Sequence, residues 1–404
     1  MTIVKKMTIS VVTIALVGFL GVFGYELYLR IPTDTELQIA EGPNKAIVNL
    51  IALAEEGVPI NDDPYAASTY RPGDPLYEAV AYIQVKRWSV AEEKLKVLAD
   101  QGNADAMFWL GQINYSGALT GLVGAGWFVR AAKLGNPYAA MMLDENNYEC
   151  QENMAYYCDK KWGELGRKIL IERAAQGDAK AGYALFLDQK YLYKERNLFF
   201  DKGYEVKEDD PFQILLKAAN DGIKQHYYRP LLKLATLYRN RTSIELFNMD
   251  KVPLSPLEEA NLFKVVEIAA NNNDARAMLW VNYDAERYPE GYPEATMERL
   301  IPFSDSRKVL TIYEYYSKKA REDRRYAVQG MARAIAYDNT SLSSRSYQGI
   351  FDQFYLEDNG LDPISEAELA QAKELAKEYT LQQSQPIIYI DENVPSLFTL
   401  TDND

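Results

Sequence analysis

One short pattern recurs along this chain and constrains its architecture more than any other feature. Leu98-Ala99-Asp100-Gln101-Gly102-Asn103-Ala104-Asp105-Ala106 returns as Ala131-Ala132-Lys133-Leu134-Gly135-Asn136-Pro137-Tyr138-Ala139, and again as Ala174-Ala175-Gln176-Gly177-Asp178-Ala179-Lys180-Ala181. Looser copies carry Gly222, Asn273 and Asp323 at the same place, so the spacing grows as insertions accumulate. Large apolar pairs precede each anchor by seven and eight positions: Trp127 and Phe128, Ile169 and Leu170, Ile214 and Leu215, Val265 and Val266, Tyr315 and Tyr316. That is the buried stripe of a helix that stops at glycine, whose missing Cβ admits the left-handed turn before a second helix begins. Gly102, Gly135, Gly177 and Gly222 are the expected turn residues. Small alanines on either side let the two helices approach closely. Such a hairpin cannot cover its own apolar faces, so the units must stack.

The best copy, Gly102-x-x-x-Ala106-x-x-x-Leu110-Gly111 with Tyr115 and Gly117, then Trp127-Phe128-Val129-Arg130-Ala131-Ala132, resembles the Sel-one-like repeat family, relatives of the tetratricopeptide repeat. The resemblance implies an all-α fold: a right-handed α/α solenoid of degenerate hairpins with insertions. It is strongest over 91–185 and weaker over 205–338. The family's Leu-Gly pair becomes Leu143-Asp144 and Leu185-Phe186, and survives later only as Met331-Ala332. After Gly222, Leu234-Ala235-x-x-Tyr238 fits only with one extra helical turn. Ile364 to Tyr379 is similar to the helix that ends many such proteins. Ser365 and Glu368 are spaced as a capping box behind Pro363, and this helix is expected to cap the last hairpin. Lys45 to Glu56 and Leu76 to Val85 are expected as leading helices. The domain reading is a 1–30 anchor or signal segment, a 31–44 linker, a solenoid with its cap over 45–379, and an irregular 380–404 tail.

Met7 to Tyr25 carries no charge and is dominated by Ile, Val, Leu and Phe. As a helix it reaches about 28 Å, near the thickness of a bilayer core. Lys5 and Lys6 precede it while Glu26, Asp34 and Glu36 follow. The expectation is therefore one N-terminal transmembrane helix, with a single-pass inner-membrane chain whose bulk lies in the periplasm. A cleaved signal peptide is the competing reading. Cys150 and Cys158 suit an oxidising compartment, and a disulfide between them would close a short loop within a polar stretch.

An acidic balance, 58 Asp and Glu against 44 Lys and Arg, argues against nucleic acid as a partner. His226 is the lone histidine, which removes chemistries needing a histidine pair, and it reads as a structural residue. No catalytic or phosphate-binding motif occurs; no enzyme activity, cofactor or metal is expected. Gly121-Leu122-Val123-Gly124-Ala125-Gly126 follows a helix and reads as a tight inter-helix turn. Tyrosine is abundant, 30 residues, and it suits protein interfaces. Those beyond the repeat pattern, Tyr191, Tyr193, Tyr204, Tyr288 and Tyr292 with Tyr347 and Tyr355, are expected to line a partner-binding surface. Among functions, the resemblance implies protein binding. It points first to an immunity protein that neutralises a secreted toxin, such as a type VI secretion phospholipase effector. A scaffold subunit of a secretion or polysaccharide-export assembly is the alternative.

Overall fold

The computed structural model describes residues 45–84, 87–115, 120–198, 211–240, 254–282, 297, 299–300, 309–340, 346–383 and 387–388. All regular structure among them is helical. A leading helix, α1 (Lys45–Glu56), is followed after a long connection by α2 (Tyr77–Gln84). Hairpins then follow in order: α3 (Trp88–Asp100) with α4 (Ala104–Asn114), and α5 (Gly121–Lys133) with the short α6 (Pro137–Met142). A small helix, α7 (Tyr148–Asn153), precedes the next pair, α8 (Lys160–Ala175) and α9 (Ala179–Leu198). The array continues through α10 (Pro211–Lys224) and α11 (Arg229–Asn240), α12 (Pro256–Asn271) and α13 (Ala275–Asn282), and α14 (Val309–Ala320) and α15 (Arg325–Thr340). Tyr347–Ile350 forms a short helix, α16, that continues into a π-helical turn, Phe351–Leu356; α17 (Glu366–Gln383) then packs along α15.

The first three hairpin turns are built the same way. Gly102 takes φ 86°, its N–H donates to Ala99 O (3.0 Å), and the Asn103 N–H reaches Leu98 O (3.1 Å). Gly135 and Gly177 repeat this at φ 89° and 90°. The next residue caps the second helix: Asn103, Asn136 and Asp178 accept from the N–H groups of Ala106, Ala139 and Ala181. Gly222 is a correction. It lies inside α10, close against the Tyr227 carbonyl, and the left-handed residue is His226 at φ 53°. The bond from the Tyr227 N–H to Gly222 O (2.8 Å) shows that Gly222 occupies the position that Leu98 holds in the first turn. In the following unit Asn273 takes φ 67°.

Small residues set the helix spacing. Ala131, Ala132, Ala139 and Ala140 are buried, and a Cβ on Gly111 would run into the Phe128 ring. Gly330, not the expected Met331-Ala332 pair, provides the same recess for Phe351. Gly121 and Gly124 press onto the Asn153 carbonyl and the Tyr115 backbone, which accounts for the glycine-rich start of α5.

Two apolar cores result, and α1 and Ile388 cross between them. Ile47, Leu50 and Ala54 of α1 join the core of the later units, from α9 onward. Ile388 joins the core of the earlier ones. Between α1 and α2 the connection follows the row of hairpin turns. Asn61 is bonded to Asn272 and Asn273, the Lys180 ammonium approaches Thr69, and the Tyr70 hydroxyl contacts Asp105 and Trp109. Ile388 returns to this strap: its N–H donates to Ser68 Oγ (3.0 Å) and its carbonyl accepts from the Thr69 N–H (2.7 Å). The segment expected as an irregular tail thus includes the end of α17 and a docked pair, Ile387 and Ile388; its remainder lies outside the described residues.

The membrane placement is corrected. No helix among the described residues is long and apolar enough to cross a bilayer. The longest, α9, carries Lys180, Asp188, Lys190, Lys194, Glu195 and Arg196. The apolar run at 7–25, the 1–30 segment and the 31–44 linker lie outside the described residues.

Candidate functional site: a disulfide-closed aromatic loop

The unit between the turns at Gly135 and Gly177 is longer than the one before it, and a compact loop holds the excess. The loop starts and ends at one place, where the Asp159 N–H donates to Leu143 O (3.0 Å). Asn147 caps α7 by accepting from the Glu149 N–H (2.9 Å), and its own amide reaches back to Met141 O (3.2 Å). The disulfide Cys150–Cys158 joins α7 to the strand of chain leaving it, with the Cα atoms 5.8 Å apart. Cys150 and Met154 are fully buried beneath the loop.

A buried ionic network fixes its base. Arg167 of α8 pairs with Asp144 on one side and donates from Nε to Asp188 of α9 on the other (2.8 Å). Asp144 stands where the repeat pattern has glycine, and the space for it is provided by Gly163, where any Cβ would strike the carboxylate. Burial pushes the Asp188 carboxyl up, while Arg167 opposes that shift. One guanidinium between two buried carboxylates is directional, and it ties the end of α6 to two helices of the next unit.

The outer surface of the loop is aromatic. Tyr156 is 78% exposed and Tyr148 60% exposed, while Tyr156 and Tyr157 stack with ring centroids 4.6 Å apart. Leu122 and Val123, on the start of α5 that packs against the loop, are also exposed. Glu145, Glu149 and Glu152 belong to the same loop, and burial together with Glu152 raises the Glu149 carboxyl. Lys160 and Lys161 are taken up by Glu164 and Asp159. The loop therefore offers rigid aromatic area with an acidic border. Among the described residues no three His, Cys, Asp or Glu groups gather as a metal-holding cluster.

The tyrosines expected to bind do not belong to this loop of the sequence. Tyr191 and Tyr193 lie within α9, in a stretch whose side chains are not described; Tyr204, Tyr288 and Tyr292 lie outside the described residues. Tyr347 and Tyr355 are corrected: Tyr347 is buried, and Tyr355 packs edge-on to Tyr313 at 5.5 Å within the last core. His226 sits beside the Tyr228 hydroxyl (3.4 Å), and burial lowers its pKa below the ordinary histidine value. Tyr148 and Tyr156 were missed, although the two cysteines that bracket Tyr156 marked the loop.

No family model matches the chain, and no curated protein does. Among solved structures it is similar to a protective antigen of uropathogenic Escherichia coli whose crystal structure displays an SLR fold. The identity is 17% and the TM-score 0.31, over 73% of this chain and 64% of that one. This chain therefore spans less than two thirds of that protein's length.

Proposed function

We propose that this chain is a protein-binding helical-repeat scaffold that grips a basic protein partner through the loop closed by Cys150 and Cys158. The observation that carries the reading is the exposure of Tyr148 and Tyr156 on a loop fixed by a disulfide and by the Asp144–Arg167–Asp188 network. Exposed tyrosine on a rigid support gives contact area without a large ordering cost on binding. The formal charge of −14 adds a field that speeds capture of a cationic surface. The narrower form of the reading is neutralisation of a secreted toxin, supported by the repeat resemblance and by a bespoke loop suited to one dedicated partner.

A photo-crosslinking residue at position 156 tests the scaffold reading. A specific protein adduct is expected, and Tyr148→Ala with Tyr156→Ala should weaken capture of that protein at least about tenfold. Equal capture by the double variant overturns the role of the loop. Co-expression with a secreted effector recovered this way should abolish its toxicity. If the stable partners are instead components of a secretion or polysaccharide-export assembly, the toxin role falls and a scaffold subunit takes its place.

A further inference from the structure

Helix α1 does not belong to any hairpin. It lies against α10 and α12, more than 150 residues further along the chain, and no turn of the repeat type connects it to a partner helix. Its buried residues are Ile47, Leu50 and Ala54, with Ile51 and Leu53 partly covered; Ile47, Leu50, Ile51 and Ala54 have the i, i+3, i+4, i+7 spacing of a helix laid into a groove. Leu215 and Ala219 of α10 and Val265 and Ala269 of α12 belong to the same core. At the end of α1, Glu55 pairs with Lys264 of α12 at 2.7 Å, both side chains about half exposed. The opposite side of α1, from Val48 and Asn49 to Ala52 and Glu56, faces solvent. A helix of 12 residues is marginal in isolation, so α1 owes its form to the groove.

We propose that the groove between α10 and α12 is an acceptor site for an amphipathic helix, that α1 is its occupant in cis, and that a partner helix can replace it in trans. The occupant defines the ligand: branched apolar residues at i, i+3 and i+4, a small residue at i+7, and a carboxylate at i+8 to meet Lys264. The tether of α1 through the strap gives it a high local concentration, so a competing helix enters only when its own contacts outweigh that advantage. Few fully buried side chains and a solvent-exposed ion pair make release of α1 a local opening rather than global unfolding. This site is separate from the aromatic loop, and its test does not depend on that reading.

The probe is a labelled synthetic peptide with the sequence of residues 44–58, followed by fluorescence anisotropy against the full chain. Leu50→Asp, which undocks α1 in cis, should bind the peptide at least tenfold tighter than the unaltered chain. Adding Lys264→Glu should weaken that binding, and a peptide carrying Glu55→Lys should restore it. Hydrogen exchange on the unaltered chain gives an independent reading, with amides of α1 expected to exchange before those of α10 and α12. No binding to a folded Leu50→Asp chain overturns the proposal. So does protection of α1 equal to that of α10 and α12, which also decides the matter if Leu50→Asp does not fold.

Discussion

At the residue scale, the hairpin turns separate two uses of the left-handed region. His226 has a Cβ and holds φ 53° at an energetic cost of about 1 kcal/mol, offset in part by its contact with Tyr228. His226→Gly is therefore expected to stabilise the chain by about 0.5–1 kcal/mol, read as a raised thermal midpoint. Asn273→Gly has the same backbone advantage but removes the amide that donates to Asn61 O (2.7 Å), so it should bring no gain or a loss. Gly102, Gly135 and Gly177 were legible because two residues separate the alanine from the glycine and the glycine ends the helix. Gly222 was misassigned because α10 runs one turn further and a histidine takes the bend. The trace of that extra turn was already present in the displaced register of Leu234 and Ala235. Asp144 in place of glycine was equally visible, but its meaning was not. That required Gly163 and Arg167, which only packing brings to it.

At the element scale, local signals were legible and exposure was not. The capping box at the start of α17 could be read from Ser365 and Glu368, and it forms: the Ser365 N–H donates to Glu368 Oε2 at 2.9 Å. Sequence could not add Arg324, which binds the same carboxylate from Nε (2.8 Å) and also reaches the carbonyls of Asp362 and Pro363. Hydrogen bonding to Arg324 pulls the Glu368 carboxyl down to about 2. A depressed carboxyl stabilises the fold above its unfolded value, near 4.5, and that stabilisation is lost as pH falls toward about 2. Glu368→Gln should thus cost about 1 kcal/mol at pH 7, moderated because the pair is partly exposed. The difference in thermal midpoint between variant and parent should shrink by pH 3. The aromatic loop yields a second expectation. Replacing Cys150 and Cys158 by serine removes a constraint of about 2.5 kcal/mol on the unfolded chain. The loop base remains held by Arg167 and by the Leu143–Asp159 bond, so helical circular dichroism should persist while partner capture weakens.

At the scale of the whole molecule, the crossing of α1 and Ile388 between the two cores distinguishes this array from an open solenoid. In an open array each unit touches only its neighbours, and stability is nearly a sum of local terms. Here α1 is buried in the later core and Ile388 in the earlier one. The nine peptide steps from Asn61 to Tyr70 span at most about 30 Å, yet they run from the turn at Asn273 to Asp105 and Trp109 beside the turn at Gly102. The end of α17 lies within about 18 Å of Ile388, since five peptide steps join the two. No local pattern announced this crossing, because strap and tail lack helical periodicity and their partners lie between 35 and 320 residues away. Its consequence is cooperativity. Ile388→Asp places a charge in an apolar recess and removes the packing of a fully buried isoleucine, a loss of about 3 kcal/mol or more. If Ile388 ties the later units to the earlier ones, the earlier units should then melt apart from the later ones. The denaturation curve should become shallower or biphasic, with hydrogen-exchange protection falling first in α2 and α3. A variant that melts at lower denaturant in one transition of unchanged slope would show that the units are coupled through their neighbours alone.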